Sequence, residues 1–139
     1  MMQVKMYEEL TDAAKMIRTK VFMEEQGFQN EFDATDDSSL HFVVYEESVP
    51  VATCRLYYSK TRNSYVIGRI AVLEEFRGRN YGSTLICNCE DVVKKLDAHR
   101  IELSAQVRVA AFYEKNGYTA TGDIHMDEGC SHVWMRKEI

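Results

Sequence analysis

Gly68–Ile86 reads GRIAVLEEFRGRNYGSTLI. A strand-like apolar run gives way to Arg77-Gly78-Arg79-Asn80-Tyr81-Gly82, and an apolar stripe with helical spacing follows. The first four N–H groups of a helix have no partner inside it, and the helix dipole makes that end positive. Glycine lets a bound anion approach the backbone, and arginine adds forked contacts to phosphate. Strand, basic turn and helix together therefore suit a pyrophosphate. A plain turn before a capped helix is the competing reading. The stretch lacks the Gly-Lys-Ser/Thr of a Walker loop and the Gly-x-Gly-x-x-Gly of a dinucleotide site.

Downstream, Tyr81, Leu85, Ile86, Cys89, Val92, Val93 and Leu96 step by three and four, which predicts a long amphipathic helix. Upstream, His41–Tyr45, Val51–Tyr58 and Tyr65–Leu73 read as strands of an antiparallel meander, with the only proline, Pro50, in a turn between them. Near the start, Val4–Tyr7 is a short strand. A helix carrying Ala13, Ala14, Ile17, Val21 and Phe22 follows, with Thr11 as its N-cap and Gly27 at its end. Glu24–Ser39 holds six acids and no base, so it reads as a loop with at most a helical turn. It is either a solvated run or a lining that attracts a cationic amine. Toward the C-terminus come a strand (RIELSAQV), a helix over Ala110–Asn116 with Gly117 behind it, and two closing strands (YTATG, SHVWMRK) joined by DIHMDEG. This order predicts an α/β (mixed α+β) fold with helices covering one sheet.

At 139 residues and 45% hydrophobic, the chain fits one domain, 1–139, with a full core. Its net charge of −5 argues against a general nucleic-acid binder. No apolar run approaches membrane-spanning length, and MMQVKMYEEL lacks the apolar stretch of a secretion signal, so a soluble cytoplasmic protein is expected. Cys54, Cys87, Cys89 and Cys130 have no zinc-ligand spacing, and they read as reduced thiols, mostly small core residues. No metal is expected.

Arg-x-x-Gly-x-Gly after a strand ending in Ala71-Val72 resembles the acetyl-coenzyme A loop of the GCN5-related N-acetyltransferases (GNAT), with Asn80 standing where the motif has its first glycine. Asparagine tolerates left-handed geometry, so the loop can survive the change. LSAQV followed by AAFYEKNGY resembles the family's fifth strand and next helix, and VFMEEQGF, EFDATDD and DEGCSHVWM resemble its small bacterial ElaA-like branch. The resemblance covers nearly the whole chain.

That resemblance implies a mostly antiparallel sheet splayed between its fourth and fifth strands, Tyr65–Leu73 and Ile101–Ala105. Backbone groups of Ile70, Ala71 and Val72 would pair with the pantetheine arm of acetyl-CoA, and an N–H near Val72 would stabilise an oxyanion. Arg77, Gly78, Arg79, Asn80, Tyr81, Gly82 and Ser83 would hold the pyrophosphate. Gln106 would lie near the donor; its plainer role is a helix cap. Tyr113 matches the family's proton donor to the thiolate; read alone, it is a core aromatic beside Phe112. A glutamate found in some members falls here at Val66, so that base is missing. Glu25, His41, His132 or an ordered water chain remain as the base or the acceptor-binding groups, Glu25 being favoured. Both histidines also fit structural roles.

The implied reaction is direct acetyl transfer to an amine, with a small-molecule acceptor expected and a monomer or homodimer as the assembly. Transfer of a longer acyl group and a non-catalytic coenzyme A-binding module are the rivals.

Overall fold

The computed structural model describes all residues, 1–139. Its strands are β1 (Met2–Tyr7), β2 (Leu40–Glu46), β3 (Val49–Ser59), β4 (Ser64–Val72), β5 (Arg100–Gln106), β6 (Thr119–Ala120), β7 (His125–Asp127) and β8 (Cys130–Glu138). The helices are α1 (Asp12–Arg18), which runs on as a π-helix over Thr19–Glu25, then α2 (Tyr81–Lys95) and α3 (Ala110–Lys115). One sheet runs β1-β2-β3-β4-β5-β8-β6, with β7 also on β8. Neighbours are antiparallel except β4 and β5.

Strand alternation sorts the side chains between two layers. Phe42, Val44, Cys54, Leu56, Ile67, Leu103 and Met135 meet Leu85, Ile86, Cys89 and Val93 of α2 in the main core. On the opposite face Val43 and Ala71 pack under Ala14 and Ile17 of α1, with Val21 and Phe22 of the π-helix. Over β5 and β8 that second face carries the polar set Ser104, Gln106, His132 and Trp134, paired Ser104 with Trp134 and Gln106 with His132.

Two irregularities open the sheet. Thr53 pairs with Ala71 and Arg55 with Gly68, so Arg69 and Ile70 both oppose Cys54, a bulge in which Arg69 takes φ 52°. Beyond it β4 leaves β5. Pairing covers only Tyr65–Ile67 against Ile101–Leu103, although the strands continue to Val72 and Gln106. A parallel strand pair that stops halfway leaves backbone groups without ladder partners.

The helical, strand and loop segments fall where the sequence places them, with four differences. Pro50 lies not in the turn but in β3, opposite Tyr45. The helix beginning after Thr11 is α-helical only to Arg18. DIHMDEG is no plain connector, because His125–Asp127 pairs with Cys130–His132 as a hairpin. Only Cys54 and Cys89 are buried, while Cys87 is exposed and Cys130 half-buried. No helix is long and apolar enough to cross a membrane.

Candidate active site

A cleft of about 1000 Å³ follows the gap between β4 and β5, from the first turn of α2 to the β7–β8 hairpin. At one end, Asn80 sits in the left-handed region (φ 66°, ψ 20°), and Gly78 has φ 83°. Asparagine and glycine are the residues that adopt such angles most readily. Asn80 gives no side-chain cap, and the first helical bond is Thr84 N–H to the Asn80 carbonyl at 3.0 Å. The amides of Tyr81, Gly82 and Ser83 therefore have no helical partner, and the first turn holds no acid. This end suits an anion. Gly82 answers a second demand, since a Cβ there would lie 2.9 Å from Cζ of Phe112. Tyr81 brings only its backbone to the loop; its ring is core and its hydroxyl donates to Glu46.

The middle of the cleft is formed by β4. Leu73 N–H donates to the Val51 carbonyl at 2.9 Å, so alternation turns the N–H and C=O of Val72 away from β3 and into the gap. The Ala71 backbone faces β3 instead. Arg77 Nε donates to the Val72 carbonyl at 3.0 Å, and its two terminal nitrogens hold the Glu25 carboxylate at 2.8 Å each. That pairing counts against Glu25 as the base. Its hydrogen-bonded ion pair with Arg77 lowers its pKa, which weakens it as a proton acceptor. Tyr113 lines the same stretch, and its hydroxyl makes no hydrogen bond within the protein. Burial, then the Cys54 thiol, raises its pKa, so the phenol stays protonated.

Gln106 does not cap a helix. Its amide donates to Gln26 Oε1 at 2.9 Å, while its own oxygen accepts from Arg108 Nε at 2.9 Å. Gln26 follows directly on the π-helix, so neighbouring residues Glu25 and Gln26 tie that segment to opposite banks of the gap. Helices of this type are rare and concentrate at functional sites.

At the far end, His132 is buried and lines the cleft. Its Nδ1–H donates to the Cys130 carbonyl at 3.0 Å, and its ring stacks on His125 at 5.9 Å. In the neutral ring that bond leaves the Nε2 lone pair free. His41 is corrected. It lies outside the cleft, 1% exposed, with Nε2 on the Asp36 carbonyl at 2.9 Å.

Glu24 and Asp37 of the acid run are exposed, but Glu31, Asp33 and Asp36 are neither solvated freely nor left as an open lining. Arg18, Arg55 and Arg69 reach into it from α1, β3 and β4. Arg18 holds Glu31 and Asp36, each at 2.7 Å, and Arg55 holds Asp33 at 2.7 Å and Asp36 at 3.0 Å. Burial alone would raise the Asp36 pKa, but the two guanidiniums overrule it and hold the group at about 2. Glu31 goes the other way: burial pushes it up, and the arginines only partly offset this. The contrast follows from pairing, because Asp36 takes two guanidiniums and the Asp33 N–H, whereas Glu31 has one oxygen engaged. Sequence reading missed this cluster. The available signal was three arginines set inside apolar runs, where a cation needs buried partners.

Residues 7–139 match the family profile described as an acetyltransferase (GNAT) domain. The chain belongs to the GNAT acetyltransferases. Among relatives of this N-acetyltransferase, the Bacillus subtilis (strain 168) protein YyaT is 32% identical over 136 residues, 94% of this chain and 90% of its own. The Escherichia coli ElaA crystal structure superposes with a TM-score of 0.85 at 23% identity, covering 99% of this chain and 100% of that one, which supports the shared fold. A GNAT family acetyltransferase from Elizabethkingia anophelis, solved with acetyl-CoA bound, shares the fold at TM-score 0.76 and 13% identity, covering 99% and 98% of the two chains. The splayed mixed sheet of this acetyltransferase is that of its family.

Proposed function

We propose that the chain moves an acetyl group from acetyl-CoA directly to a small-molecule amine. One observation carries this reading: an uncapped helix N-terminus lies at one end of the same gap into which Val72 turns unladdered backbone groups. The residues fit the donor. The amides of Tyr81–Ser83, with Arg79 beside them, would take its pyrophosphate, and Ile70 and Val72 would pair with the pantetheine arm once Arg77 releases the Val72 carbonyl. Bound there, acetyl-CoA supplies an activated thioester carbonyl.

The Val72 N–H would donate a hydrogen bond to that carbonyl oxygen as it takes on negative charge. Tyr113 gives its phenolic proton to the sulfur as the C–S bond breaks and regains one from solvent; with a reference pKa of about 10 the phenol still carries its proton at pH 7, which is what makes it available as the donor. The acceptor poses the opposite problem, since an alkyl ammonium of pKa about 10.4 must shed a proton before it attacks. His132 takes that role in place of Glu25, receiving the proton on Nε2 directly or through a water.

His132→Gln is expected to lower kcat/KM about 10–100-fold at pH 7, with the loss shrinking as pH approaches the pKa of the amine. A loss that does not change with pH would remove the base assignment. The reading as a whole is tested by thiol release from acetyl-CoA in the presence of an amine panel, where amine-dependent release is the expected result.

A further inference from the structure

Glu31 is 2% exposed, yet it is one of the residues lining the acceptor end of the cleft. Its two carboxylate oxygens are not equivalent. Oε2 is held by Arg18 Nε at 2.7 Å and by Arg69 Nε at 3.0 Å. Oε1 accepts no hydrogen bond from any group of the protein. A carboxylate oxygen on the cleft wall with no donor of its own, on a group held in place by two guanidiniums, is a preorganised acceptor for an incoming N–H.

The surrounding charge favours a cation there. Arg18, Arg55 and Arg69 are matched one for one by Glu31, Asp33 and Asp36, so the cluster itself is neutral. Asp127 and Glu128 add two carboxylates to the cleft wall, neither paired with a cation; Glu128 accepts only the Asn30 N–H, at 3.3 Å. Arg108, also on the cleft wall and without a carboxylate partner, offsets one of these, so the excess is one negative charge. A charged amine is drawn in, and an acceptor with its own carboxylate is disfavoured.

Resting on the transferase reading above, we infer that Glu31 is the acceptor-binding carboxylate: its free Oε1 receives a hydrogen bond from the amino group of a cationic amine, and this contact selects charged amines over neutral ones. Arg18 and Arg69 act through it as positioning residues.

The test compares a matched pair of acceptors at pH 7, benzylamine as the cation and aniline as the neutral amine, by thiol release at saturating acetyl-CoA. The wild type is expected to show a KM for benzylamine at least about tenfold below that for aniline, the scale of a hydrogen bond to a charged group. Glu31→Gln turns an N–H toward the cleft or releases Arg18. It should raise the benzylamine KM about 10–100-fold, leave the aniline KM within about threefold, and leave the calorimetric Kd for acetyl-CoA within about twofold. Asp33→Asn loosens Arg55 and Arg69 while keeping Oε1, so its benzylamine KM should stay within about threefold. Equal KM values for the two amines in the wild type would overturn the inference even if Glu31→Gln does not fold. So would a Glu31→Gln variant that loses both acceptors alike, since that is the mark of a structural role. Absence of amine-dependent thiol release from a wild type that binds acetyl-CoA would instead reject the transferase reading itself, and this inference with it.

Discussion

Tyr113→Phe is expected to lower kcat by about 10²–10⁴-fold while the Kd for acetyl-CoA stays within about twofold. The substitution removes one oxygen and keeps the ring, so the edge-on contact with Phe112, at 5.1 Å between centroids, survives. The hydroxyl has no protein partner to lose, so the fold should not notice. What disappears is a phenol kept neutral by its surroundings at the place where a thiolate must be discharged. Pre-steady-state thiol release and a calorimetric titration check the two halves separately. Unchanged turnover would return Tyr113 to the core-aromatic role that its spacing also allows. Weakened donor binding with unchanged kcat would make it a binding residue instead.

The largest effect on stability should come from Arg18→Met, about 3–5 kcal/mol, measured by denaturant unfolding. Methionine fills much of the volume but leaves Glu31 and Asp36 buried without their shared guanidinium. Whole domains of this kind have only about 5–15 kcal/mol in hand, so the variant would be marginal. The effect should depend on pH, with a sign set by Asp36. Its pKa in the fold is about 2, below the ordinary 3.8, so its contribution is complete above the ordinary value and is lost as pH falls toward 2. Asp33 is also lowered, but by Arg55 and Arg69, so it leaves the gap unchanged. Glu31, raised by burial, acts in the opposite sense and gains as its carboxyl protonates. The gap between wild type and Arg18→Met should therefore narrow as pH drops from about 4 to about 2. A gap of constant size would mean that the arginine acts by packing alone.

These cases mark how far the sequence could be read. The strand, basic turn and helix of Gly68–Ile86 were legible because each has a local cause: apolar period, left-handed residues at Gly78 and Asn80, and a stripe on α2. The order of strands followed from turns and periodicity, and the splay from the family resemblance. The roles of charged residues were not legible, because a side chain's partner is a tertiary fact. Glu25 stands 52 residues from the arginine that occupies it, and Gln106 stands 80 from Gln26. The acids of Glu31–Asp36 looked solvated because their arginines lie 13 to 38 residues away in apolar segments. His41 and His132 both sit near strand ends, yet one turns to a loop carbonyl and the other to the cleft. The β7 hairpin escaped because three residues are too few to show a period.

The central claim is that Val72 and the first turn of α2 together grip the thioester donor. Amide NMR of the full chain during titration with acetyl-CoA tests it directly. Saturable shifts are expected at Val72 and at Gly78, Gly82 and Ser83, with one common Kd. Saturation elsewhere with these four amides unmoved, or no saturable shift at all, would contradict it.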